Sequence, residues 1–240
     1  MEKATKNFIL NLKKQKRESS LLFLDNIKII KDAIANDSIR VECVLTSLEE
    51  LPFAFSGKTY KVDDKTIEQL ADTKTPQKVL CIAYLTQHVV ETPTTNFLVL
   101  DGLQDPGNVG TLIRTAKASG FETIFLVDSV RKENSKLIRS SVGAVFDSKV
   151  CQVSKSEFVA LAKKHDFKLI CCDMNGENIF NFTTNDQIGI VVGNEGQGVS
   201  KEISDLCYKT VKIPMKSGIE SLNAGVSGSI IMYEINKNKL

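Results

Sequence analysis

Short apolar runs alternate along this chain with stretches in which apolar residues recur every three or four positions. Ser20 to Leu24 reads as a strand. Asn26 to Ala35, with Ile27, Ile30 and Ile34 on one side, has helical spacing. Val41 to Leu45 is a second strand, followed by a turn near Pro52 and a short extended piece at Tyr60 to Val62. Asp64 to Leu70 reads as a capped short helix and Val79 to Leu85 as a strand. His88 to Asn96 is polar, contains Pro93 and has no apolar period, so it reads as a linker. From Phe97 the alternation becomes regular. Strands are expected at Phe97–Leu100, Thr123–Val127, Lys149–Val153, Lys168–Cys172, Gln187–Val192 and Thr210–Ile213. Helices are expected at Val109–Ser119, Asn134–Arg139, Lys155–His165, Ser200–Cys207 and Leu222–Asn236. Strands interleaved with helices predict an α/β fold, a parallel sheet with helices on both faces. A smaller α/β domain over residues 1–87 precedes it, with a linker at 88–96 and the larger domain at 97–240.

Composition adds bounds. At 240 residues, 42% apolar and 25% charged, the chain can bury a useful core in one large or two small domains. A formal charge of +2 is too mild to announce nucleic-acid binding by itself. The cations are uneven, however. Lys3, Lys6, Lys13, Lys14, Lys16 and Arg17 fall together with no acidic residue among them, over a loosely helical stretch at Thr5 to Lys16. Six cysteines show no C-x-x-C spacing and only two histidines accompany them, which disfavours zinc. Most of these cysteines lie in apolar runs and read as small buried hydrophobes in a reducing cytosol. The N-terminus carries charge and no apolar leader, and the apolar runs are too short to span a bilayer, so a cytoplasmic protein is expected.

Three segments of the larger domain carry polar or glycine residues that packing does not require. The first is Asn108-x-Gly110-x-x-x-Arg114, after the Phe97 strand and its loop. Asn108 can serve as an N-cap. Arg114 lies early in a helix whose N-terminal end favours anions, and could contact phosphate or ribose. The second, Gly193-Asn-Glu195-Gly-Gln-Gly198, follows the Ile188–Val192 run. Its glycines permit close backbone approach to a ligand, and Glu195 is available to pair with Arg114. The third joins Ile213-Pro-Met215 to Ser221-Leu-Asn223 at the start of the last helix. Ser221 can cap that helix. Ile213, Met215 and Leu222 could sandwich a flat aromatic ring. Ligands of open α/β sheets bind beyond the carboxyl ends of the strands, so three such loops suggest one composite site. The dinucleotide and P-loop glycine patterns are absent, which disfavours a nucleotide-dependent enzyme.

In order and wording, these segments resemble the signature motifs of the SpoU-type RNA ribose methyltransferases of the SPOUT superfamily. The resemblance covers roughly Phe97 to Ile235 and includes Arg139-Ser-Ser-Val-Gly-Ala144. The first domain more loosely resembles the family's ribosomal-protein-like RNA-binding domain, with Thr75-Pro76-Gln77 in place. Asp25-Asn26 stands where the family has Glu-Gly, and Asn223-Ala-Gly225 stands where members carry larger residues after the Asn.

The resemblance implies S-adenosylmethionine-dependent methylation of a ribose 2′-hydroxyl of structured RNA, with ribosomal RNA favoured over transfer RNA. It implies a C-terminal trefoil knot and a homodimer. It makes Asn108, Arg114, Glu195 and Asn223 the catalytic set. Gly193, Gly196, Ile213, Met215, Ser221 and Leu222 would hold the cofactor, and no metal is expected. Lys13, Lys14, Arg17 and Arg139 are the candidate RNA contacts. A non-catalytic RNA-binding module of the same fold is the alternative, against which intact Arg114, Glu195 and Asn223 argue. The family's usual assignment of the arginine as general base sits poorly with a guanidinium pKa above about 12, so Arg114 reads better as a clamp.

Overall fold

A computed structural model describes residues 8, 11–12, 21–85, 92–218 and 221–239. Lys13, Lys14, Arg17 and the first part of the expected linker lie outside them. The chain forms two compact units, one of Met1–Gln87 with Glu133–Ser135 and the other of His88–Lys132 with Lys136–Leu240.

The first unit is a four-stranded sheet built from β1 (Leu21–Leu24), β2 (Ile39–Thr46), β3 (Thr59–Lys61) and β4 (Val79–Leu85), in the order β1-β4-β2-β3. β4 is antiparallel to both neighbours, and β2 and β3 run parallel. The sequence also supplies two helices here, α1 (Ile27–Ile34) and α2 (Asp64–Leu70). Leu21, Phe23, Cys43, Leu45, Leu80 and Ile82 pack with Ile67 and Leu70 of α2. Burial pushes the Cys43 and Cys81 thiols up to about 12, as expected of inert packed sulfurs. The Asp25-Asn26 pair has a structural use. Asn26 caps α1 by accepting from the Ile29 N–H. Asp25 is buried and accepts from the Asp72 and Thr73 amides and the Thr73 hydroxyl. Gln77 Oε1 accepts from the Ile27 N–H at 2.7 Å.

The second unit is a six-stranded, wholly parallel sheet. Its strands are β5 (Phe97–Asp101), β6 (Thr123–Val127), β7 (Lys149–Val153), β8 (Leu169–Asn178), β9 (Gly189–Gly193) and β10 (Cys207–Lys212), ordered β10-β8-β9-β5-β6-β7. The central strands β5, β6 and β9 are buried on both faces, as near-continuous apolar runs require in a parallel sheet. One face is filled by Phe97, Phe125 and Phe158, with rings in tilted and edge contacts at 5.3–5.9 Å. The helices are α3 (Pro106–Ala118), α4 (Ser135–Ser140), α5 (Ala144–Asp147), α6 (Lys155–Lys164), α7 (Lys201–Ser204) and α8 (Ala224–Asn236).

Several boundaries differ from the sequence expectation. α3 begins at Pro106, because Asp105 rather than Asn108 is its cap and proline suits a first helical turn. α7 stops at Ser204, since Cys207 is already paired with Leu169 as the start of β10. β8 runs on to Asn178 through polar residues, held by β10 across a break in register between Thr210 and Val211. α5 has a single turn and no period long enough to read.

α3 and α8 approach closely. A Cβ at Gly228 would lie 2.5 Å from Leu112 Cδ2 and 3.0 Å from Val192 Cγ2. Thr115 and Ser229 hydroxyls meet at 3.0 Å along the same interface. Gly228→Leu should therefore overpack this interface and lower unfolding free energy by about 1–3 kcal/mol. A urea melt that matches the wild type in midpoint and slope would show that the helices have room to separate.

Candidate active site

β5 and β9 pair in register, with Asp101 opposite Gly193, so the loops that follow them leave the same edge of the sheet side by side. Three groups shape the loop after β9. Asp101 is buried and its carboxylate accepts from the Ser200 N–H at 2.6 Å. Asn194 donates from Nδ2 to the Gly102 carbonyl at 2.8 Å, and its Oδ1 accepts from the Gly196 and Gln197 amides. The Asn194 and Gly198 backbones bond in both directions at 2.9 Å. Gly193 is required by this folding back, because a Cβ there would sit 2.2 Å from the Gly198 carbonyl carbon. Gly198 has φ +71°, and a Cβ on it would meet nothing within 4 Å among the described residues. Gly196 is exposed, next to Glu195.

Asp105 caps α3 by accepting from the Asn108 N–H at 2.8 Å, and Lys136 donates to its other oxygen at 3.0 Å. Asn108 is thereby released from capping. Its Nδ2 donates to Glu195 Oε1 at 3.0 Å, and its Oδ1 accepts from Asn223 Nδ2 at 2.9 Å. Asn223, not Ser221, caps α8, with Oδ1 accepting from the Val226 N–H. The chain of amides has a direction. The Asn223 oxygen is committed to the helix, so its NH2 group faces Asn108. The Asn108 oxygen is then occupied, so its NH2 group faces the carboxylate. One continuous set of hydrogen bonds thus joins all three candidate segments.

Arg114 is not in that set. Glu195 is held by Asn108, and Arg114 is exposed, with no hydrogen bond or ion pair among the described residues. Helix geometry explains the separation. Six residues turn an α-helix by about 600°, so Asn108 and Arg114 leave α3 about 120° apart. Gly110 between them is a packing residue, because a Cβ there would lie 2.6 Å from the Leu137 carbonyl oxygen of α4. Arg139 is half-buried on that same helix, α4, whose Ser140 hydroxyl donates to the Pro106 carbonyl. Ser221 is exposed and Ile213 half-buried, while Met215 and Leu222 are 38% and 37% exposed, so their apolar side chains are not consumed by the core. Gly225, where the resemblance implies a larger residue, lies against the chain of amides; a Cβ on it would be 3.3 Å from Asn108 Oδ1.

The loop anchors Asp101, Asn194 and Ser200 were missed in the sequence. A carboxylate ending the apolar run Val99-Leu100 was the available sign for Asp101. The Ser200 hydroxyl is buried with no hydrogen-bond partner among the described residues. Among the described residues no group of three His, Cys, Asp or Glu side chains could hold a metal, and no helix is long and apolar enough to cross a membrane.

The model of the SpoU rRNA methylase family matches residues 95–233, and this chain belongs to that family. It is 25% identical to the 23S rRNA (guanosine(2553)-2'-O)-methyltransferase RlmP of Bacillus subtilis (strain 168), over 94% of this chain and 92% of that protein. It is 34% identical to a putative TrmH family tRNA/rRNA methyltransferase of Staphylococcus epidermidis, over 59% of this chain and 58% of that one. The fold is that of an AdoMet-bound rRNA methyltransferase from Sinorhizobium meliloti, with TM-score 0.85 and 21% identity over 100% and 98% of the two chains. The SpoU methyltransferase AviRb from Streptomyces viridochromogenes, solved with AdoMet, aligns with TM-score 0.81 and 22% identity over 94% and 93%.

The Asp105 cap has a pH signature. The Asn108 N–H, and then the Lys136 ammonium, hold its carboxyl below the ordinary value of 3.8. A depressed folded pKa means the contribution is complete above that ordinary value and is lost as pH falls through the lower folded one. Asp105→Ala should cost about 0.5–2 kcal/mol at neutral pH. That difference should shrink toward zero in urea melts run at successively lower pH below 3.8. A difference independent of pH would assign the cost to packing instead of charge.

Proposed function

We propose that this protein transfers a methyl group from S-adenosylmethionine to a ribose 2′-hydroxyl of structured RNA, with ribosomal RNA the favoured class. The observation that carries the reading is the Asn223–Asn108–Glu195 chain, which ties all three family segments into one site at the carboxyl edge of the sheet. The residues present fit the cofactor. The glycine loop is open at Gly198, Met215 and Leu222 offer exposed apolar surface, and the Ser200 hydroxyl is a buried polar atom without a partner among the described residues. Gly193, Gly196, Ile213, Met215, Ser221 and Leu222 would hold it. When bound, it supplies a methyl group already activated on a positively charged sulfur.

What remains for the protein is alignment and charge. Holding the ribose oxygen in line with the methyl carbon can contribute about 7–11 kcal/mol to lowering the barrier. Glu195 is an oriented acceptor at the loop tip, steadied by the Asn108 amide. Arg114 presents a planar cation at the surface of α3, suited to clamp a phosphate or ribose of the RNA. In this reading Arg114 is a clamp and not the base, with loss of the 2′ proton late or through water. The first unit, with Lys13, Lys14 and Arg17, and Arg139 in the second would guide the RNA. The reading includes the family's C-terminal knot and a homodimer. Support for the knot is the strand order, in which β9 lies inside β8 and β10 returns outside it. Support for the dimer is an apolar stripe on α8, where Val226 and Tyr233 are exposed two turns apart. A cytoplasmic location follows from an RNA substrate.

Calorimetry with S-adenosylmethionine in the presence of a chelator, followed by single-turnover methylation of ribosomal RNA transcripts, tests the reading. Wild type and Arg114→Ala should bind the cofactor equally, while the variant loses turnover and Arg114→Lys rescues little. Absence of cofactor binding by the wild type would leave only an RNA-binding module. Separately, removal of residues 1–17 should flatten the salt dependence of RNA affinity, by about 0.7–0.9 in log–log slope for each phosphate that the stretch neutralises. An unchanged slope would place the RNA-binding cations elsewhere.

A further inference from the structure

Three of the six cysteines gather where β8 meets β10, and none of them belongs to the chain of amides. Cys171 and Cys172 are on β8, and Cys207 opens β10. Cys207 is opposite Leu169, and the register between the strands shifts immediately after it. The shift brings the Cys207 side chain toward Cys171, and the two sulfurs lie 2.7 Å apart. Cys171 is almost wholly buried at 2% exposure, Cys207 is half-buried, and Cys207 packs against the same side of the sheet as Ile203 of α7. The Cys171 thiol donates to Cys207, which donates in turn to the Ile203 carbonyl at 3.4 Å. Cys172 is the next residue along the strand, so its side chain points to the opposite face and does not compete.

We propose that Cys171 and Cys207 are an oxidisable pair, which hydrogen peroxide converts to a disulfide joining β8 to β10. The Cys171 sulfur attacks one peroxide oxygen as thiolate. The O–O bond breaks, leaving a sulfenic acid on Cys171 and a hydroxide that takes up the displaced proton as water. The Cys207 sulfur then loses its proton and attacks the sulfenic sulfur. The S–S bond forms, and the hydroxyl leaves with that proton as a second water. Two thiols and one peroxide yield one disulfide and two waters, the sulfurs giving up the two electrons that reduce the peroxide.

Two features support this direction of reaction. The sulfurs need to close only from 2.7 Å to the usual bond length of about 2.05 Å. When Cys171 ionises, the Cys207 thiol can turn to donate to it, which holds the Cys171 pKa below the ordinary thiol value and raises that of Cys207. The bond would close a ring that contains β9 and the glycine loop with Glu195, so oxidation would tie down the segment that forms the site. This chemistry is independent of methyl transfer.

The intact protein treated with a few equivalents of hydrogen peroxide, then alkylated and digested without reductant, is the test. The expected product is a linked pair of peptides carrying Cys171 and Cys207, 2 Da lighter than their sum and separated by dithiothreitol. Cys207→Ser should give no such link and should leave Cys171 trapped by dimedone as the sulfenic acid. Far-ultraviolet circular dichroism of that variant checks that it folds, and the wild-type result stands without it. Two alkylated thiols, a link to Cys172, or over-oxidation of one sulfur in the wild type would each overturn the proposal.

Discussion

The in-register parallel pairing of β5 with β9 is the constraint on which the rest of the larger unit depends. Asp101 ends one strand opposite Gly193, which ends the other. Because parallel strands finish at the same edge, two loops distant in sequence must emerge together. Asp101 then reaches across to the Ser200 amide, and Asn194 reaches back to the Gly102 carbonyl. The loop after β9 is thus anchored at Asp101 and Gly102, its own Asn194 bonds fold it back, and Asn108 holds Glu195.

The opposite edge is fixed by a buried polar cluster. Asn96 donates to Asn236 Oδ1 and accepts from the Ile188 amide, and Asn236 donates to the Ser119 carbonyl. Buried amides tolerate few arrangements, since each unmade hydrogen bond costs about 1–3 kcal/mol. The far end of α8 is thereby pinned to the start of the sheet and the end of α3. With that end held, the close approach at Gly228 sets where the near end of α8 lies, and with it where Asn223 meets Asn108. The chain of amides at the site is the visible result of packing along the whole length of two helices.

This arrangement divides the four polar candidates into two kinds. Asn223, Asn108 and Glu195 act as a connected series in which each group orients the next. Arg114 stands apart on the helix surface, its charge uncommitted among the described residues. An uncommitted guanidinium costs little in water and is ready for a polyanion, whereas one already paired with a carboxylate would have to break that pair first.

The architecture and the three segments were legible in the chain because each rests on local rules. Buried parallel strands read as continuous apolar runs and helices show their period, whereas in sequence the caps at Asp105 and Asn223 read as Asn108 and Ser221, because several capping residues stand close together at each helix start. The family resemblance rests on the same local wording. What the tertiary structure decided is whatever depends on groups far apart in sequence. It assigned Asn108 to Glu195 instead of to a helix cap, and set Arg114 apart from both because of an angle around a helix axis. It extended β8 through polar residues that only a neighbouring strand could hold, and it brought Cys171 beside Cys207 through a shift in register. Periodicity reports which face of an element is buried, but it carries no information on what lies across from that face.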